Sequence, residues 1–178
     1  MNKKNISLAR GILAALWYGK ILNIKSISQH PYIQLLSNNK KSVTYRSTIS
    51  RLIKGAILKK EEDNISLTDI GRREALFAFI EAESALYRPN FFQKWDKAWR
   101  ILFFDIPESK RRYRDYLRKT LRKVGFKEMQ RSIWAYPYPV PSFLGELLLQ
   151  KEIKPHIRFI TTDSIDNDAD LKKMFNLS

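Results

Sequence analysis

Residues 99–126 read WRILFFDIPESKRRYRDYLRKTLRKVGF, and this stretch sets the architecture expected of the second half of the chain. From Ile101 to Phe104 it is apolar without alternation, the pattern of a strand buried on both faces in the middle of a sheet. Asp105 ends that strand. Pro107 suits the first turn of a helix, and the stripe Tyr113, Leu117, Leu121 and Val124 carries the helix to Gly125, where it stops. Two strands, FKEM at 126–129 and SIWAYPY at 132–138, follow on either side of Gln130 and Arg131. A capped helix from Ser142 to Leu149 and a strand HIRFITTD at 156–163 complete the order βαββαβ. That order is a ferredoxin-like split βαβ pattern, with both helices on one sheet face and the opposite face open to a second copy.

The first half has a different grammar. Ile6, Leu13, Leu16 and Trp17 recur at helical spacing between Ile6 and Lys20, and a shorter helix is expected from Pro31 to Leu36, with Tyr32, Leu35 and Leu36 facing inward. A third helix, Val43 to Lys54, places Ile49, Leu52 and Ile53 on one side, with Tyr45, Thr48, Arg51 and Lys54 on others. The segment GAILKKEEDNISLTDIGRREA at 55–75 then reads as a helix stop at Gly55, two short strands flanking Asp63 and Asn64, and a helix capped by Thr68.

This succession resembles winged helix-turn-helix transcription regulators. The resemblance implies an α+β chain whose third helix enters the DNA major groove, where cationic side chains reach phosphate or guanine and hydroxyls reach base edges. On that reading Lys41, Tyr45, Arg46, Ser47, Thr48, Arg51 and Lys54 face double-stranded DNA, and Lys59 and Lys60 in the wing touch the backbone or minor groove. An amphipathic helix with a solvated polar face has the same composition.

Charge agrees with a polyanionic partner. Thirty-three Lys and Arg against 18 Asp and Glu leave a net charge of +15 and a pI near 10.0. Residues 1–88 carry 15 basic and 7 acidic side chains and residues 89–178 carry 18 and 11, so the charge is no detachable tail. A generally Lys-rich composition would give the same excess. The absence of cysteine excludes disulfides and thiolate zinc sites, and two histidines argue against an imidazole-rich one. The apolar run ISLARGILAALWYG is interrupted by Arg10 and is followed by no small-residue cleavage site. It reads as a buried helix rather than a signal peptide, and the expected compartment is the cytoplasm, with no membrane partner.

The expected domains are 1–88, a winged helix; 89–98, an aromatic linker with Phe91, Phe92 and Trp95 that continues to Trp99; and 99–178, the ferredoxin-like unit. WRILFFDIPESKRRYRDYLRKTLRKVGF followed by MQRSIWAYPYP looks like the central domain of phenylacetate-type, PaaX-like transcriptional repressors. That domain in turn resembles the small ferredoxin-fold CRISPR-associated adaptation protein, often described as a metal-dependent endonuclease. The resemblance implies a homodimer. The longer repressors carry a further C-terminal domain and this chain stops at Ser178, so control by a coenzyme A thioester is not carried over.

In the CRISPR-associated relatives the aspartate that ends the first strand is the proposed metal ligand, which here is Asp105. Two such carboxylates across a dimer axis could bind Mg²⁺ and activate water. The preferred reading is no cofactor and no catalysis, with Asp105 accepting N–H bonds at the start of the Pro107 helix. Along that helix, Arg111, Arg112, Arg114, Arg118 and Arg122 are candidate phosphate contacts.

Overall fold

The computed structural model describes residues 7–30, 33–34, 42–88 and 94–177, arranged as two compact units that divide between Leu86 and Tyr87. The expected linker at 89–98 lies partly outside the described residues, as do Phe91 and Phe92. Among the described residues no helix is long and apolar enough to cross a membrane.

In the first unit, α1 (Leu8–Gly19) begins at Ser7, whose hydroxyl accepts from the Arg10 N–H at 3.4 Å. It packs against α3 (Asp69–Leu86), whose buried face runs from Ala75 to Ile80. The Arg10 guanidinium bridges to Glu81 at 2.7 and 2.9 Å, tying the two helices together. Between them stand α2 (Ser42–Lys54) and three strands: β1 (Ile21–Asn23), β2 (Leu58–Glu61) and β3 (Asn64–Leu67). They form an antiparallel sheet in the order β1-β3-β2. Strand β1 has no counterpart in the sequence reading, because three residues are too few to show alternation. The helix expected at Pro31–Leu36 lies mostly outside the described residues, although Ile33 is buried.

Gly55 does not hold the left-handed position that closes α2. Ala56 does, with φ 53°; its N–H reaches Ile53 C=O at 2.9 Å and the Ile57 N–H reaches Leu52 C=O at 2.9 Å. The β2-β3 hairpin then returns to Thr68, which accepts from the Gly71 N–H at 3.0 Å and donates to Ala56 C=O at 2.6 Å. Thr68 is therefore the helix cap the sequence implied.

The second unit follows the order strand, helix, strand, strand, helix, strand. Its elements are β4 (Trp99–Phe104), α4 (Arg111–Val124), β5 (Lys127–Gln130), β6 (Ile133–Tyr136), α5 (Ser142–Leu148) and β7 (Ile157–Thr162), and a last helix α6 (Ala169–Phe175) follows. The sheet is antiparallel in the order β5-β6-β4-β7, which makes β4 central, as its apolar run required. Gly125, at φ 109°, ends α4 in the conformation that favours glycine.

One sheet face lies under α4: Leu102 and Trp134 sit opposite each other and fully buried, beside buried Leu117 and Leu121. The other face is not left open throughout, as the sequence reading expected. Trp99, Ile101 and Ala135 pack with Leu171 of α6, and Trp95, Phe175 and Leu177 close around them. Trp99 is wholly buried and Trp95 lies 5.0 Å from it, so these two indoles belong to the core of this unit rather than to a hinge. An apolar helix only two turns long is hard to read from a segment rich in Asp, Lys and Asn.

Arg100 anchors the same region. Its guanidinium pairs with Asp96 at 2.5 and 2.7 Å and also donates to the carbonyls of Ala98 and Pro137. That hydrogen bonding holds the Asp96 carboxyl down at about 2, from the ordinary 3.8. A depressed folded pKa contributes stability above the unfolded value, lost as pH falls through the folded one. Asp96→Asn is expected to cost about 1 kcal/mol at neutral pH, solvent screening at this half-exposed carboxylate having reduced the full linkage value. The difference from wild type should close between pH 4 and 2, as checked by urea unfolding at stepped pH.

Candidate nucleic-acid interface

Alpha-helical geometry decides which residues α2 can offer. At about 100° per residue, Arg46, Ser47, Ser50, Arg51 and Lys54 fall within an arc of about 140°, and all five are exposed. Tyr45 and Thr48 do not join them. They are 4% and 7% accessible, one turn before Ile49 and Leu52 on the inward side. The expectation that Tyr45 and Thr48 meet a base edge is therefore corrected: positions four residues before an inward-facing Ile and Leu must face inward too. Ser50, which the sequence reading passed over, takes a place in the outward stripe. Lys41 lies outside the described residues. The Ser47 hydroxyl donates to Thr44 C=O at 3.1 Å, which keeps it close to its own helix.

Beside α2 a small cavity of about 90 Å³ is lined by Ile24, Lys25, Ile27, Ser28, Tyr45 and Arg46. Lys25 pairs with Asp63 at 2.5 Å, and that hydrogen bond holds the Asp63 carboxyl below its usual range. The hairpin presents less cation than its KK suggests. Lys59 is bound to Glu61 at 3.0 Å, and the tip is Glu61, Glu62 and Asp63. Lys60 remains exposed near Asp63. An acidic tip is repelled by polyanions, so the cationic surface of this unit lies on the α2 stripe and Lys60 rather than on the tip of the hairpin.

The basic run of α4 divides into two sets. Arg114, Arg118 and Arg122, spaced by four, turn toward the sheet. Arg114 donates to Glu108 at 2.7 Å and to Ile106 C=O at 3.3 Å. Arg118 donates to Arg131 C=O at 2.9 Å and stacks over Phe104. Arg122 pairs with Glu128 and lies 5.2 Å from the centre of the Trp134 ring. Arg118 and Arg122 brace α4 on its sheet, and Arg114 ties it to the Ile106–Glu108 segment. Arg111 pairs with Glu108 and Asp115, and Arg111, Arg112 and Lys119 are all exposed on the helix.

Asp105 sits where β4 ends, and the Asp105 N–H donates to His156 C=O at 2.9 Å. Its expected role as a helix cap is not seen. The turn Glu108–Lys110 starts from Pro107 without a side-chain cap, and Pro107 and Ile106 separate Asp105 from the N–H groups it would have to reach. The exposed carboxylate instead borders an open cavity of about 420 Å³, with Phe103, Ser132, Ile133, His156 and Arg158 on its walls. Lys110 Nζ lies 3.2 Å from His156 Nε2 at the same end. Among the described residues no three His, Asp or Glu side chains converge as a metal would need. Asp105 and His156 bring the one carboxylate and the one imidazole among the residues that line these walls.

Sequence comparison bears on this second unit. Residues 92–174 match the PaaX protein central Cas2-like domain. The matched region takes in the whole four-stranded sheet and all but the last residue of α6. The residues that carried the PaaX-like resemblance in sequence prove to be its framework: Trp134 is fully buried, and Tyr136 stacks on Phe126 at 4.7 Å with its hydroxyl 3.2 Å from that of Tyr87. Among solved structures, an uncharacterized protein from Mycobacterium tuberculosis is similar at 21% identity, over 95% of this chain and 67% of that one, with a TM-score of 0.38. No curated protein matches the sequence.

Proposed function

We propose that this chain is a cytoplasmic, homodimeric regulator of transcription of the PaaX type, a repressor that binds double-stranded DNA sequence-specifically. Its first unit acts as a winged helix-turn-helix and its second, ferredoxin-like, unit sets the separation of the two half-sites. The observation that carries the reading is the α2 stripe, in which Arg46, Ser50, Arg51 and Lys54 share one exposed face of a helix followed by a β-hairpin. Guanidinium groups recognise guanine O6 and N7 bidentately, and the hydroxyl and ammonium reach either bases or phosphates. The strand-rich order after α2 and the excess of positive charge agree with it.

Fluorescence anisotropy tests the proposal, with the protein titrated against the duplex upstream of its own coding sequence and against a scrambled duplex at physiological salt. A preference of about a thousandfold, inside the usual range for specific over non-specific binding, is expected. Equal affinity for both duplexes, and for a tiled set of genomic fragments, would sink it.

A second reading draws on the exposure of Asp105 in its cleft: an Mg²⁺-dependent nuclease like those described for the CRISPR-associated relatives. It requires duplex cleavage with Mg²⁺ that Asp105→Asn abolishes and Asp96→Asn does not. No such cleavage is expected of a regulator.

A further inference from the structure

The two edges of the four-stranded sheet are unlike. Strand β5 is Lys-Glu-Met-Gln, exposed along its whole length, and its pairing with β6 shifts register between Glu128 and Gln130. Charge and irregularity of this kind keep an edge from pairing with another chain. Strand β7 carries one charge, Arg158 near its start, and no irregularity. Its pairing with β4 is regular through six residues, and Phe159 and Ile160 stand 42% and 49% accessible in its middle. On its outer side none of the backbone hydrogen bonds found beyond the ladder involves residues 158–162.

The charges around β7 are sorted along the strand. Lys154 and Arg158 lie at its start, and Asp163, Asp166 and Asp170 follow its end. These three carboxylates are exposed, and none of the ion pairs among the described residues uses them. An antiparallel copy of the same strand would bring the basic start of each against the acidic end of the other. A parallel one would set like against like. In a chain of net charge +15, where most surfaces repel their own copies, this is a patch suited to receive one.

From these observations we infer that β7 pairs with β7 of a second copy about a two-fold axis near Ile160, joining the two sheets into one of eight strands. This rests on the homodimer of the proposed function and gives it a surface. The register centred on Ile160 sets Ile160 against the partner's Ile160 and Arg158 against the partner's Thr162, beside the partner's Asp163. Like charges are nowhere directly opposed, and the paired edge no longer exposes N–H and C=O groups.

The chain has no cysteine, so a single introduced thiol reports on one position. Residues directly opposite in an antiparallel pair have Cα atoms about 4.5–5.5 Å apart, inside the range a disulfide spans. Ile160→Cys in the full chain is expected to form a reducible dimer of twice 21.0 kDa in a glutathione redox buffer, and Lys127→Cys on the β5 edge is expected to stay monomeric on denaturing gels. In sedimentation equilibrium Arg158→Glu should raise the dimer dissociation constant about tenfold. The compensating Asp163→Lys and Asp166→Lys in the same chain should recover most of that, which misfolding could not produce. A wild type that sediments as a monomer overturns this inference and the homodimer together. A dimeric wild type in which Ile160→Cys fails to cross-link, or Lys127→Cys cross-links equally, overturns the β7 pairing and leaves the homodimer standing.

Discussion

Replacing Gly71 with alanine is expected to lower the melting temperature of the first unit by roughly 12–24 °C. A Cβ at this position would lie 2.0 Å from the Ile57 carbonyl oxygen and 3.0 Å from its carbon, both backbone atoms. No rotamer change relieves that overlap. The hairpin must move from the start of α3, and Thr68, which holds both Ala56 C=O and the Gly71 N–H, moves with it. A forced backbone shift in a packed site costs about 3 kcal/mol, and 1 kcal/mol corresponds to about 4–8 °C in a unit of this size. Gly55→Ala is the control, since its Cβ meets nothing closer than 3.4 Å. Scanning calorimetry of the full chain reads both variants. A Gly71→Ala protein melting within a few degrees of wild type would show that hairpin and helix are not locked in the way described.

Removing Arg46 and Arg51 together is expected to weaken binding to the preferred duplex at least about thirtyfold, because each bidentate guanidinium contact contributes about 1–3 kcal/mol of discrimination. Binding to scrambled DNA should fall less, so the preference itself should narrow. Tyr45→Phe should leave affinity within about twofold, since that ring is buried and its face is not offered to a groove. Parallel titrations at two salt concentrations separate base contacts from phosphate contacts. Should the double variant bind as wild type does while Arg111→Ala with Arg112→Ala loses affinity, the DNA surface lies on the second unit and α2 is an ordinary solvated helix.

The second unit was the more legible in sequence because its signals are long. Four apolar residues in a row at Ile101–Phe104 mark a central strand, and a fourteen-residue helix with one apolar stripe ends at a glycine that does adopt positive φ. The first unit was legible where a polar turn interrupts alternating residues, at the β2-β3 hairpin, and where Thr68 opens α3. It was opaque at β1, whose three residues become a strand only because β3 lies beside them. On the α2 surface spacing outweighs chemistry: Tyr45 and Thr48 have groups suited to a base edge, but their spacing from Ile49 and Leu52 places them inside.

The sequence by itself determined which segments are helix and strand wherever periodicity runs for two turns or more, the order βαββαβ, the basic charge of both halves and the chemical types that could meet a polyanion. Only the tertiary structure decided what those side chains do. It tied Arg114 to Glu108, set Arg118 and Arg122 over rings of the sheet beneath α4, bound Lys59 to Glu61, covered part of a sheet face with α6 and left Asp105 facing solvent in a cleft instead of capping a helix. The reason is physical. Local structure follows from neighbours a few residues apart, whereas the partner that claims a cation or covers an apolar strip lies far away in sequence and is chosen by the packing of whole elements.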